Sequence, residues 1–299
     1  MNLGIEVGDA TLSVALWEPA EKRVVKTAVL DVGASPLDDI PSFEDTLQDW
    51  LDENGVDELG YVSVTVSSFR SVVREMFVPP EVTASIRDYV EWNLGLVLNA
   101  DPSEFFWDYM ELAGDDRVGK TIILIAMRRV WVDAIRKGFR KKKIAPQLVE
   151  TDTISLLNLL ETGFPASTEM KCIVKADVSG VMLLWAADER IKALRAAPTF
   201  ELVGKSREDA YELLATSIAQ QIQLAENENG IAHFQIQVCG SLAGDSLFME
   251  TLQKTLGELY SVSLLDSFPG ISLPEADETN SILSCIGAIG ASLHSPEEK

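Results

Sequence analysis

The segment Leu3-Gly4-Ile5-Glu6-Val7-Gly8-Asp9, running on through Ala10 to Trp17, is answered half a chain later by Cys172-Ile173-Val174-Lys175-Ala176-Asp177-Val178-Ser179-Gly180. Each is an apolar strand that ends in an acid and a tight glycine turn before a second strand sets out. Both lead into a third strand, so the chain opens each half with a three-stranded meander: residues 3–7, 11–17 and 23–30, then 171–175, 181–186 and 190–196. A repeated meander followed by helices and further strands restricts the fold to α/β, in two lobes of common plan.

The rest of the pattern supports that plan. In the first half, residues 43–54 carry Phe43, Leu47, Trp50 and Leu51 at helical spacing, with Ser42 as the expected N-cap and Gly55 just past the end. Residues 61–66 alternate as a strand. A new unit begins near Arg70: a strand over 71–78 closed by Pro79-Pro80, a helix over 82–98, a hairpin of 105–112 and 120–127 across Gly114-Asp115-Asp116, and a helix over 130–143. This β-α-β-β-α run is compact enough to be an inserted subdomain. Residues 146–149 return to a strand and 153–161 to a helix, and Gly163 to Thr168 reads as a hinge. The second half continues with a helix over 206–226, a strand over 234–238 running into Cys239-Gly240-Ser241, a helix over 246–258, a strand over 262–265 and an apolar helix over 279–293. The expected organisation is a first lobe of residues 1–69 and 145–165, an insert of 70–144 and a second lobe of 166–299.

Composition narrows the partners. A net charge of −22 repels a phosphate backbone, which excludes nucleic acid as a general ligand. The N terminus reads as a strand rather than a signal peptide, and the longest apolar stretches, 121–127 and 282–293, are too short to cross a bilayer. Three widely spaced cysteines fit neither a disulfide framework nor a zinc site, so a reducing cytoplasm is the expected compartment. His233 and His294 stand near no nucleophile or metal set, which leaves no catalytic residue and no resident metal to name. The basic run Arg136 to Lys143 reads as a solvated helix C terminus complementing the macrodipole; the alternative is a local anchor toward anionic headgroups or an acidic partner. Trp92 and Trp107 are expected in the core of the insert.

In order and spacing these segments resemble the PilM family of type IV pilus assembly proteins, within the actin-like ATPase superfold, with FtsA and the cytoplasmic part of GspL as relatives. The likeness is carried by Arg74-Glu75-Met76-Phe77-Val78-Pro79-Pro80, Ile86-Arg87-Asp88-Tyr89-Val90-Glu91-Trp92, Phe106-Trp107-Asp108-Tyr109 and Ile123-Leu124-Ile125-Ala126-Met127-Arg128, and it ends at Asp152. It implies an ATP and magnesium cleft between the lobes, whose remnants here are Glu6, Gly8, Asp152, Asp177, Gly180 and Gly240. The family's first turn reads Asp-Ile-Gly-Ser with a Lys five residues after the Gly; this chain has Glu6-Val7-Gly8-Asp9, and Ser13 in place of that Lys. Ser179 stands where glycine is expected in the second turn, and the adenosine-side turn is Cys239-Gly240-Ser241 rather than a glycine run. An added carboxylate, a lost cation and a Cβ at the phosphate turns make the cleft degenerate. These departures from the family's pattern lead to the expectation of no enzyme and no bound cofactor, with ATP and magnesium as the alternative.

By the same resemblance, the role is that of a scaffold in a pilus or type II secretion inner-membrane assembly. It is held at the cytoplasmic face of the inner membrane through its partners and grips the N-terminal peptide of a PilN-like membrane protein. The family holds that peptide between the first lobe and its insert, and the strand over 71–78 and the helix over 82–98 are the expected walls. The competing expectations are a divergent ATPase or kinase of the same superfold and an FtsA-like cell-division scaffold. Against the latter stands the short acidic tail Ser292 to Lys299 where an amphipathic helix is needed.

Overall fold

The computed structural model describes residues 1–299 except 34, 57, 83–84, 113–118, 140–143, 165–168, 188–189, 199–203, 275–278 and 295–299. The turn at Gly114-Asp115-Asp116, the second half of the basic run, the last four residues of the expected hinge and the end of the C-terminal tail lie outside the described residues.

The first sheet contains β1 (Asn2–Val7), β2 (Thr11–Glu18), β3 (Arg23–Asp31), β4 (Val62–Val66) and β8 (Leu148–Thr151), in the order β3-β2-β1-β4-β8. The second contains β9 (Lys171–Asp177), β10 (Gly180–Ala187), β11 (Arg190–Pro198), β12 (Gln235–Cys239) and β13 (Val262–Leu264), in the order β11-β10-β9-β12-β13. In both, the meander is antiparallel and the two later strands are parallel to the first. The duplicated plan expected from the two hairpins is therefore present strand for strand.

Strand alternation divides each sheet into two faces. Leu3, Ile5 and Val7 of β1, with Leu12, Val14 and Leu16 of β2, face α1 (Ile40–Glu53) and α3 (Arg129–Gly138). Cys172, Val174 and Ala176 of β9, with Val181, Leu183 and Trp185 of β10, face α5 (Arg207–Asn229) and α6 (Ser246–Leu256). The opposite faces meet across two helices, α4 (Asp152–Gly163) and α8 (Ile286–Ser292), in a shared core that includes Ala15, Trp17, Leu156, Leu160, Ile173, Leu184, Ile286 and Ile289. α8, from the second half, lies on β1, β2 and β4 of the first sheet, while Thr153 at the start of α4 touches Met182 of β10. Every residue of α8 is buried, as a helix apolar on all sides requires. α4 and α8 cross so closely that a Cβ on Gly290 would collide with the Ser155 carbonyl.

Between β4 and α3 the chain inserts a third sheet of order β5-β7-β6, made of β5 (Val72–Val78), β6 (Phe105–Glu111) and β7 (Lys120–Arg128) and covered by α2 (Ile86–Leu98). Its far face reaches the shared core through Val73, Ile123 and Ile125.

Several local expectations are corrected. α1 begins at Ile40, because the Asp39 carboxylate accepts from the Ser42 backbone N–H at 3.3 Å and from its hydroxyl at 2.7 Å; Asp39, not Ser42, is the cap. The helix after β7 packs with the first lobe, its Val132, Ile135 and Phe139 joining the α1 core and Phe139 meeting Phe43 edge-on at 4.8 Å. Trp92 is 76% exposed on the outer side of α2. Trp107 does pack in the insert, under the Arg87 guanidinium at 4.8 Å. The final apolar helix is two: α7 (Thr279–Ser284) and α8, broken at Cys285.

Candidate functional site

The even positions of β1 point away from the α1 core and toward the lobe junction, so Glu6 is carried there by the same alternation that buries Ile5 and Val7. On β9 the same alternation sends Ile173, Lys175 and Asp177 to the inner face. Asp152 arrives as the first residue of α4, directly after β8.

These three acids converge on one side chain that motif matching passed over. Lys175 Nζ lies 2.6 Å from Glu6 Oε1, 2.6 Å from Asp177 Oδ2 and 3.2 Å from Asp152 Oδ2. Lys175, Glu6 and Asp152 are buried, and Asp177 is partly so. The remaining carboxylate oxygens are tied individually. Asp177 Oδ1 accepts from the Ser241 backbone N–H at 2.7 Å. Asp152 Oδ1 accepts from the Ser68 N–H at 2.9 Å and from the Ser68 hydroxyl. Glu6 Oε2 is buried, against Gly287 of α8, with no hydrogen-bond partner among the described residues.

One ammonium cannot neutralise three carboxylates, and the surplus negative charge has a definite address. Burial pushes the Glu6 carboxyl from 4.5 up to about 7; Asp177 and Asp152 add to the rise, and Lys175 works against it. For Lys175, burial alone would lower the pKa, but Asp177, Glu6 and Asp152 reverse this and hold the ammonium well above its usual range. Asp177 stays below the ordinary carboxylate value: burial opposes its charge, but the contact with Lys175 and the Ser241 N–H outweigh burial.

Around the cluster, the three glycine turns are closed by the chain itself. At the first, the Gly8 N–H donates to Thr11 O at 2.9 Å, and Asp9 pairs with Arg70 at 2.8 Å. The Ser13 hydroxyl donates to Ser284 O at 2.8 Å. At the second, the Phe69 ring lies so tightly on Gly180 that a Cβ there would collide with it. At the third, Gly240 takes φ = +95° and donates its N–H to Leu283 O at 2.9 Å. A cavity of about 310 Å³ remains between the lobes, lined by Glu6, Gly8, Asp9, Lys175, Asp177 and Ser241 among others. Glu6, Asp152 and Asp177 are thus brought together. Gly8 borders the cavity with Glu6 and Asp177, Gly240 lies next to Ser241, and Gly180 sits under Phe69.

Lys175, Ser68, Phe69 and Arg70 were missed by sequence reasoning. Lys175 did carry a signal: a single cation inside the apolar run Cys172-Ile173-Val174 must find buried acids or shift its pKa. The Ser67-Ser68-Phe69-Arg70 loop carries none, because its partners are set by how the lobes meet.

A second concavity lies between the insert and the first lobe. It measures about 200 Å³ and is lined by Phe106, Trp107, Ile125 and Met127 from β6 and β7, Val132 and Arg136 from α3, and Val149 and Thr151 from β8. The strand β5 and the helix α2, expected as its walls, lie elsewhere: β5 is the far strand of the inserted sheet and α2 covers its other face.

No protein-family model and no curated protein sequence matches the chain. Solved structures do. A chain of a PilM–PilN type IV pilus biogenesis complex superposes with a TM-score of 0.77 at 14% identity, covering 98% of this chain and 97% of the other. A Bacteroides thetaiotaomicron protein of unknown function with an actin-like ATPase fold gives 0.53 at 10% identity, covering 95% of each chain. The cytoplasmic domain of EpsL, an inner-membrane component of the Vibrio cholerae type II secretion system, gives 0.51 at 13% identity, covering 95% of this chain and 94% of the other. The duplicated sheets and these likenesses agree: the chain has the actin-like ATPase fold.

Proposed function

We propose that this protein is a non-enzymatic, PilM-like scaffold of a pilus or type II secretion inner-membrane assembly, and that it binds the cytoplasmic N-terminal peptide of a PilN-like membrane partner. The observation that carries the proposal is the groove between β6 and β8. β6 is the edge strand of the inserted sheet and β8 the edge strand of the first sheet, so two unpaired edges flank one apolar trough. An extended peptide placed there finds backbone donors and acceptors along an edge, with Phe106, Trp107, Ile125 and Val149 to receive alternate apolar side chains. Asp108 and Arg136 at the groove supply charges that fix its register. Attachment to the membrane comes through that partner; among the described residues no helix is long and apolar enough to cross a bilayer.

The lobe junction does not fit a magnesium nucleotide as its residues stand. The acids that would hold the metal are engaged by Lys175 Nζ, Phe69 covers Gly180, and Asp9 brings a carboxylate to the first phosphate turn. No reaction is derived through that site.

The test uses the full chain and a fluorescein-labelled peptide copying the cytoplasmic N terminus of a PilN-like protein, titrated by anisotropy. Saturable binding, lost by at least tenfold in Phe106→Asp and in Val149→Asp with unchanged circular dichroism, supports the reading. Binding unaffected by both substitutions, or no binding to the unsubstituted chain, refutes it.

A further inference from the structure

The junction of the lobes is bound by a point charge. Glu6 comes from β1 and Asp152 from the end of the first lobe, whereas Asp177 and Lys175 come from β9 of the second. Three carboxylates from two lobes, within 2.6 to 3.2 Å of a single centre, form the oxygen-rich environment that a hard divalent cation takes. Here the centre is an ammonium carried on the chain. Glu6 Oε2, buried and with no hydrogen-bond partner among the described residues, is a further ligand atom that the lysine does not use.

We infer that Lys175 is the resident cation of this site: its Nζ occupies the position of a divalent metal and ties the two lobes together with no ion or nucleotide required. A lysine placed here makes the joining of the two lobes a property of the folded chain itself. The same carboxylates without it form a latent metal site, because stripping away the one cation leaves like charges crowded in a buried place that only a new cation relieves. The inference concerns the lobe junction alone and does not rest on the peptide groove, so either can fail while the other stands.

The test compares the unsubstituted chain with Lys175→Ala, which leaves room for a hydrated ion, and with the double variant Lys175→Ala/Glu6→Gln, which relieves part of the exposed charge. Mn²⁺ binding is read by loss of the free-ion electron paramagnetic resonance signal, and the melting temperature is followed in EDTA and in millimolar Mn²⁺ or Mg²⁺. The unsubstituted chain is expected to bind no Mn²⁺ and to melt at the same temperature in either condition. Lys175→Ala is expected to melt lower by on the order of 10 °C in EDTA, to bind one Mn²⁺ per chain and to recover most of the loss. The double variant is expected to bind Mn²⁺ at least tenfold more weakly. Stoichiometric Mn²⁺ binding by the unsubstituted chain overturns the inference, as does a Lys175→Ala chain that is folded in EDTA and takes up no metal. If Lys175→Ala is insoluble, a folded double variant that binds no Mn²⁺ overturns it equally. If neither variant folds, the titration of the unsubstituted chain decides.

Discussion

Arg195 on β11 donates through Nη1 to Glu75 Oε1 on β5 at 3.1 Å, and so couples the inserted sheet to the second lobe. The same carboxylate oxygen accepts the Leu194 backbone N–H at 3.1 Å, which makes Glu75 the pivot of the contact. Together with Val73 and Ile125 packed on the shared core, this joins an insertion of the first half to an edge strand of the second. The insert therefore holds the lobes from outside while the Lys175 cluster holds them from within.

Glu75→Ala removes the acceptor of two hydrogen bonds at a partly buried position. The expected cost is about 1–2 kcal/mol, with amide exchange quickened first in β5 and β11. Denaturant unfolding and hydrogen exchange check this; exchange quickened evenly over the chain would count against the coupling.

Gly290→Ala places a methyl group against the Ser155 carbonyl where α8 crosses α4. Neither partner is a flexible side chain, so the helices must part. A loss of several kcal/mol, typical of overpacking or backbone displacement in a core, is expected in urea unfolding. A loss within 0.5 kcal/mol, the range of neutral surface changes, would mean that the crossing is not tight.

Stability should fall as pH rises from 5 to 8, through Glu6. Its carboxyl holds a proton to about pH 7 in the folded chain, against an ordinary value of 4.5, so the folded state is the tighter proton binder. The contribution is complete below the ordinary value and is lost as pH climbs through the folded one, a change of roughly 3 kcal/mol. Glu6→Gln cannot ionise and should flatten the profile over this range. Asp177 acts at the acid end with opposite sign: its depressed value stabilises the fold above 3.8, and the benefit disappears as pH drops through the folded value. Unfolding midpoints from pH 3 to 8 decide, and parallel profiles for the two proteins would contradict the assignment.

Mg-ATP at millimolar concentration should leave the melting temperature within about 1 °C of its starting value. A site with a dissociation constant of ten micromolar would add about 2.7 kcal/mol at a hundredfold excess of ligand, which is several degrees for a protein of this size. A clear saturable rise would restore the competing expectation of a nucleotide-binding enzyme or switch.

How much of this was written in the sequence depends on the range of the interaction. The two meanders, their equivalence and the α/β plan follow from period-two alternation and from acids and glycines at strand ends, which are local properties of Leu3 to Asp9 and Cys172 to Gly180. The same alternation sent Glu6, Asp177 and Lys175 to one side of their strands. The partners of Glu6 were not legible, since Lys175 meets it only when the two lobes dock, and Asp152 only through the Lys175 they share. The cap at Asp39, the allegiance of α3 and the groove walls likewise depended on what those residues met in space. Alternation along a strand states which side a residue faces. What stands on that side, and whether a buried charge finds a counter-charge there, is decided by the docking of elements more than a hundred residues apart.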